Sequence, residues 1–371
     1  MTTCLAADAA EARGDAGRAL DIMASKPLDP RGRPFWRPDR VARLRQLTEL
    51  PPVLPAWAVS RWLLALALQD LVHTDRERVH RAMGAAIEAR GGRPLPGVDS
   101  VDARCRVVDH DWIYRQLRLY EHGGLDAYLR HAIPDVVAGA DRIRDWAAAP
   151  MRALSLVAQS SQTVTWHDVS TAERVVTLNT GCAALVLPGE HVIGRVVPIE
   201  TGSMFETAPL RVPEAVSSRV ADDPSGWVAA ITEHNRDSGL EPIKAYGFGG
   251  FGLLSDVPRL AWRQAALDAA EVLSTARRRF RRHPDADPQA LTLVAAALDP
   301  AMHAGFDSLT PDRVHPWACV VGALVEPGVA PYLATQLEPS DTQDLLRLGA
   351  RVPEPGGDLC RWLAEGLSHA A

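Results

Sequence analysis

The stretch from Thr163 to Pro213 constrains the fold most, because its apolar residues recur every second position between tight turns, a rhythm that suits strands rather than helices. Val164 and Trp166 alternate with Thr163, Thr165 and His167, and Val175-Val-Thr-Leu178 returns after the polar connector Asp168-Val-Ser-Thr-Ala-Glu173. Asn179-Thr-Gly181 carries turn chemistry ahead of the apolar run Cys182-Ala-Ala-Leu-Val-Leu187. In Pro188-Gly189, proline presets φ for the first central turn position and glycine accepts the positive φ of the second. The next strand is apolar on both faces, with Val192, Gly194 and Val196 on one and Ile193, Val197 and Ile199 on the other, as a central strand requires. Gly194 inside it marks a bend or a close backbone approach. Thr201-Gly-Ser203 turns into Met204-Phe-Glu206, and Pro209-Leu-Arg-Val-Pro213 ends the stretch. Tightly linked strands of this kind predict a small five-stranded antiparallel β-barrel, which leaves no exposed edge.

Helical patterns lie on both sides, so the predicted fold class is α+β: two mainly α-helical regions flanking the barrel. The expected units are a helical region at 1–158, the barrel at 159–215 and a second helical region at 216–371. Ala6 to Ala24 reads as a helix interrupted near Gly14-Asp15, and Asp39 is placed to cap a helix running to Leu50. A long helix is expected from Ala56 to Ala89, with any break near Gly84. Shorter helices are expected at 111–121, 125–131, 135–148 and 224–236, then at 258–282, 288–298, 316–324, 329–337, 341–348 and 357–367.

Composition narrows the function classes. Of 40 basic residues only Lys26 and Lys244 are lysine, which together with abundant alanine reads as a high-GC coding bias rather than a chemical choice. The net charge of −6 argues against a nucleic-acid partner. Five scattered cysteines, Cys4, Cys105, Cys182, Cys319 and Cys360, have no ligand spacing, so neither a metal nor another cofactor is predicted, and reduced thiols are expected. Met1 to Glu11 shows no basic n-region and no apolar core. The longest apolar run, Trp62 to Leu68, is far short of a membrane span. A soluble, cytoplasmic protein with no membrane partner is the expectation, its oligomeric state left open.

Three constellations carry residues suited to chemistry. Asp70, His73, Glu77 and His80 share one side of the long helix, and Glu77-x-x-His80 has the spacing of carboxylate-bridged metal sites. They lie opposite the apolar stripe of Leu68, Val79 and Met83, so a solvated face is the stronger reading. Arg277-Arg-Arg-Phe-Arg-Arg-His283 could grip phosphate or an acidic partner through Arg277, Arg278 and Arg281, although cations also complement a helix C-terminus. Gly247-x-Gly249-x-x-Gly252 satisfies the dinucleotide fingerprint in letters, but the preceding Glu241-Pro-Ile-Lys-Ala-Tyr246 is a poor strand. What survives there is a candidate anion site: Lys244, the backbone at Gly247, Gly249, Gly250 and Gly252, and a helix start near Pro258 that Ser255 or Asp256 can cap. No nucleophile motif is present, and Cys182 reads as a core residue.

The run Leu-Pro-Gly-Glu-x-Val-x-Gly-Arg-Val-x-Pro from Leu187, followed by Met-Phe-Glu-x-x-Pro-Leu-x-Val-Pro from Met204, resembles a segment of uncharacterised proteins of high-GC bacteria. The resemblance implies a helical region ahead of a small β-domain and no particular activity. Some of those proteins end in a cysteine-rich zinc tail of the SEC-C type; here Cys360 stands alone near the C-terminus, so no zinc is implied. The leading functional expectation is a non-enzymatic binding or scaffold protein whose partner is another protein. The alternative is an enzyme or ligand sensor that takes an anionic small molecule near the loop 244–256.

Overall fold

The computed structural model describes residues 2–92, 106–237, 239–245, 252–272, 280, 283–299 and 315–370. Helices α1 (Thr2–Ala12) and α2 (Ala16–Ala24) flank the expected interruption, where the Asp15 carboxylate accepts the Arg18 N–H at 2.9 Å. Helix α3 (Pro38–Glu49) starts on a proline that needs no N–H partner, so Arg37 takes the cap position and Asp39 sits in the first turn. The predicted long helix is two, α4 (Ala56–Thr74) and α5 (Arg76–Ala89), divided at Asp75 rather than Gly84. The Asp75 carboxylate takes the Arg78 N–H at 3.0 Å, and a side chain that caps a new helix outweighs a glycine that merely weakens an existing one.

Beyond α5, the short helix Trp112–Gln116 widens into a π-helical turn over Leu117–Glu121. The expected helix at 135–148 forms as two, Pro134–Ala138 and Ile143–Ala147. After the strands come Glu214–Asp222, Trp227–Arg236, Arg259–Val272, Pro288–Leu298, Pro316–Leu324, Val329–Gln336, Thr342–Gly349 and Gly356–Ala370. Among the described residues no single helix is long and apolar enough to cross a membrane.

The α+β class holds, but the strands do not close into a barrel. Strands β1 (Arg152–Gln159), β2 (Thr163–Asp168), β3 (Arg174–Leu178), β4 (His191–Gly194) and β7 (Leu210–Val212) form one antiparallel sheet in the order β3-β2-β1-β4-β7. Strands β5 (Val196–Ile199) and β6 (Gly202–Phe205) form a separate two-stranded ribbon. Three causes act together. β1, nearly all of which falls in the helical region expected at 1–158, is the central strand. The run Cys182–Leu187 turns instead of extending, and its Cys182, Ala183 and Val186 cover one sheet face. The expected single strand through Val192 and Ile199 breaks at Arg195, whose guanidinium is drawn into the interior.

The pleat sorts the sheet faces. Leu154, Leu156, Val164, Trp166 and Val192 point to the side where Phe205 lies edge-on to Trp166 at 5.2 Å, and the Trp166 indole N–H donates to Thr177 Oγ1 at 2.9 Å. Ala153, Ile193, Leu210 and Val212 point to the other side, under Val216 and Val220 of helix Glu214–Asp222. Gly194 is the predicted close approach: a Cβ there would stand 2.8 Å from the Phe205 ring and 3.1 Å from Pro209 Cβ. The ribbon turns Phe205 and Val196 to the Trp166 face of the sheet and its other face elsewhere. Its Val197, Ile199 and Met204 enter the largest core, which also takes Trp62 and Leu63 of α4 and the nearly all-apolar helices Pro288–Leu298 and Pro316–Leu324.

Candidate functional site

Arginines converge where α4, the turn at 112–121 and the strands meet. Arg61 of α4 is 1% exposed, and its Nη2 donates to Asp256 Oδ2 at 2.7 Å and to the Phe205 carbonyl at 3.0 Å. Asp256 also accepts the Thr180 hydroxyl at 2.6 Å and the Ala208 N–H at 3.1 Å. Arg115 donates to Glu206 at 2.9 Å and to Thr207 Oγ1 at 3.0 Å. Burial pushes the Arg115 pKa down to about 10, against the opposing pull of Glu206. Gln116 ties this pair to the next one, donating to Glu206 Oε1 at 2.5 Å and accepting from Arg195 Nε at 2.9 Å. Arg195 completes itself on Glu121 and the Ala149 carbonyl, and Glu121 takes the Trp227 indole N–H at 2.9 Å. Each of these cations thus meets a carboxylate, as burial demands.

A groove of about 980 Å³ opens beside this joint. Leu185 and Val186 of the turning segment form one wall, with Pro209 and Val212 at the sheet-edge strand β7. Pro242 and Ile243 form another, and Leu260 and Ala261 of helix Arg259–Val272 complete it. Most of the charged groups on its lining are occupied, while Glu214 stands exposed at the start of helix Glu214–Asp222 with no ion pair among the described residues. Arg211 holds Glu190 at 2.8 Å, Lys244 holds Glu241 at 2.9 Å, and Asp256 is engaged with Arg61. Burial raises the Cys182 thiol pKa, and the nearby Asp256 charge raises it further, so the thiol stays protonated. His191 Nδ1 lies 3.2 Å from the Ser217 hydroxyl, but Ser217 is fully buried and has no access to a substrate. These groups do not assemble a nucleophile with a base, and the apolar walls are what the groove offers.

The predicted anion site is divided. Lys244 stands on the groove rim, 83% exposed, with its charge on Glu241. At Gly252 the close approach is made by the chain itself: a Cβ would lie 1.8 Å from the Ser255 carbonyl oxygen. Gly247, Gly249 and Gly250 lie outside the described residues, as do Arg277, Arg278 and Arg281. Asp256 turns inward to Arg61 instead of capping the helix after Pro258, and Ser255 Oγ accepts the Val257 N–H at 3.1 Å. The polar side of α4 and α5 is also divided by the break at Asp75. Asp70 faces His131 Nε2 at 3.1 Å and Glu77 faces Arg81 at 3.6 Å. Among the described residues no group of three His, Cys, Asp or Glu is placed to hold a metal.

Sequence reading missed Arg61, Arg115, Arg195, Glu206 and Asp256. One signal was available: Arg61 interrupts the apolar run from Trp57 to Leu68, and a charge inside such a run is buried only with a partner. Its partner is 195 residues away and cannot be identified by spacing. No protein-family model, curated protein or solved structure matches the chain.

Proposed function

We propose that this chain is a non-enzymatic binding protein whose groove seats an extended protein segment through apolar side chains. The observation that carries this reading is the combination of apolar walls with a lining on which Arg211, Glu190, Lys244, Glu241 and Asp256 are already paired and, among the described residues, only Glu214 is open. Leu260 is 79% exposed and Leu185 39% exposed, both beside the groove, where a partner's side chains would cover them. The segment's backbone has limited access to the sheet edge. β7 is only three residues long and is bracketed by Pro209 and Pro213, so recognition rests on side chains more than on strand addition.

Selection from a random-peptide display library tests this. Recovered peptides should be rich in apolar residues, compete with one another, and lose affinity at least about tenfold on Leu260→Glu, a change at an exposed position that leaves folding intact. Peptides that bind Leu260→Glu and Leu185→Glu as well as wild type would remove the groove as the seat. A phosphate or nucleotide titration that responds to Lys244→Ala would instead favour an anionic small molecule at the rim.

A further inference from the structure

The opposite side of the turn at 112–122 holds an arginine of another kind. Arg118, in the π-helical turn, is 0% exposed. Its Nη1 donates to the Tyr114 hydroxyl at 2.8 Å, and its guanidinium lies over the Tyr114 ring at 5.6 Å. Nε and Nη2 are buried and have no hydrogen-bond partner among the described residues. No carboxylate among the described residues bonds to Arg118. Asp75, whose field reaches it, is held by Arg78 at 3.0 Å and caps α5. Burial accordingly lowers the Arg118 pKa, with Tyr114 opposing.

The two open nitrogens form one edge of the guanidinium, and in three other arginines of this chain that edge closes on a carboxylate. Arg33 turns Nε and Nη2 to one oxygen of Asp29, Arg40 turns the same pair to one oxygen of Glu11, and Arg152 turns it to one oxygen of Asp168. Two parallel N–H groups match two oxygens of a carboxylate or phosphate, and a planar fork binds them together. A second open nitrogen stands one turn on. His122 Nδ1 is also buried without a partner, and the His122 pKa is lowered by burial and by the charges of Arg81 and Arg78. Arg78, Arg81 and Arg118 thus bring three cations to this side, against Asp75 and Glu121, beside the N-terminal end of α5 where the helix dipole adds to the cations. Arg78 and Arg81 are 29% and 61% exposed at their side chains and, among the described residues, pair only with the partly exposed Asp75 and Glu77, so an anion reaches Arg118 by displacing surface ion pairs of little worth.

We propose that Arg118 is the recognition residue of an oxyanion site, gripping a phosphate or carboxylate group with its Nε–Nη2 edge while His122 supplies a further donor. This site lies on the α5 side of the turn and is independent of the groove.

Thermal melting of the whole chain in inorganic phosphate, in acetate and in chloride at matched ionic strength tests it. Phosphate, acetate or both should raise the Tm of wild type beyond chloride, and the stronger of the two identifies the group recognised. Arg118→Met should abolish that increment. Arg118→Lys, which keeps the charge but loses the fork, should weaken the apparent affinity by about tenfold or more. Equal Tm in all three salts would overturn the proposal, as would an undiminished increment in either variant. Should Arg118→Met fail to fold, wild type and Arg118→Lys decide the matter by themselves.

Discussion

The two sides of the turn at 112–122 use buried arginine in opposite ways. On the inner side, Arg61, Arg115 and Arg195 meet Asp256, Glu206 and Glu121, and Gln116 links two of these pairs. On the outer side, Arg118 is as deeply buried and meets only a phenol. A paired buried charge holds the structure together chiefly because removing one partner strands the other. An unpaired one contributes nothing of that kind, and its open donors are free for a ligand. The inner set joins α4, the turn and the strands; the outer one is placed to recognise.

The same substitution at two positions sharpens this contrast most. Arg61→Met leaves Asp256 buried without its guanidinium and should cost about 3–5 kcal/mol in urea unfolding. A loss under about 1 kcal/mol would show that Asp256 is satisfied by Thr180 and the Ala208 N–H alone.

Gly194→Val breaks the comparison at its geometric root, since Gly194 lets the chain leave β4 just before Arg195. The added branches would collide with Phe205 and Pro209, and a loss of about 2–3 kcal/mol is expected from thermal melts. A Tm within a degree or two of wild type would mean that the packing there is loose.

Asp168 offers a pH test of a pair at the sheet rather than the joint. Burial alone would raise its pKa, but the Ser170 hydroxyl, the Thr171 N–H and Arg152 outweigh this and hold it at about 2. Its folded pKa lies below its unfolded value near 3.8, so the stabilisation is present above pH 4 and is lost as pH falls toward 2. About 2 kcal/mol should disappear across that window in wild type and not in Asp168→Asn. Identical pH profiles for the two proteins would place the acid sensitivity elsewhere.

The smallest effect is expected at Arg118. In phosphate-free, acetate-free buffer Arg118→Met should fall within about 1 kcal/mol of wild type or exceed it, because the lost Tyr114 bond is offset by removal of a desolvated charge. A loss of about 3 kcal/mol or more would make Arg118 another structural arginine and erase the contrast.

Local chemistry was legible in the sequence. Turn residues and the two-residue rhythm located β2, β3, β6 and β7, the 3.6-residue rhythm located Pro288–Leu298 and Pro316–Leu324, and Gly194 declared a close contact. These features depend on residues within one turn or strand of each other, so adjacent letters determine them. Only the tertiary structure decided that the sheet stays open, that Cys182–Leu187 turns, that Arg195 leaves the ladder, and that a groove forms beside β7. The same holds for the arginines. Arg61 and Arg118 are the same residue type on neighbouring helical segments, and nothing near either in sequence separates their roles. Whether a buried guanidinium finds a carboxylate depends on a strand or loop far along the chain, and the cost of desolvation arises only after the core has closed around it.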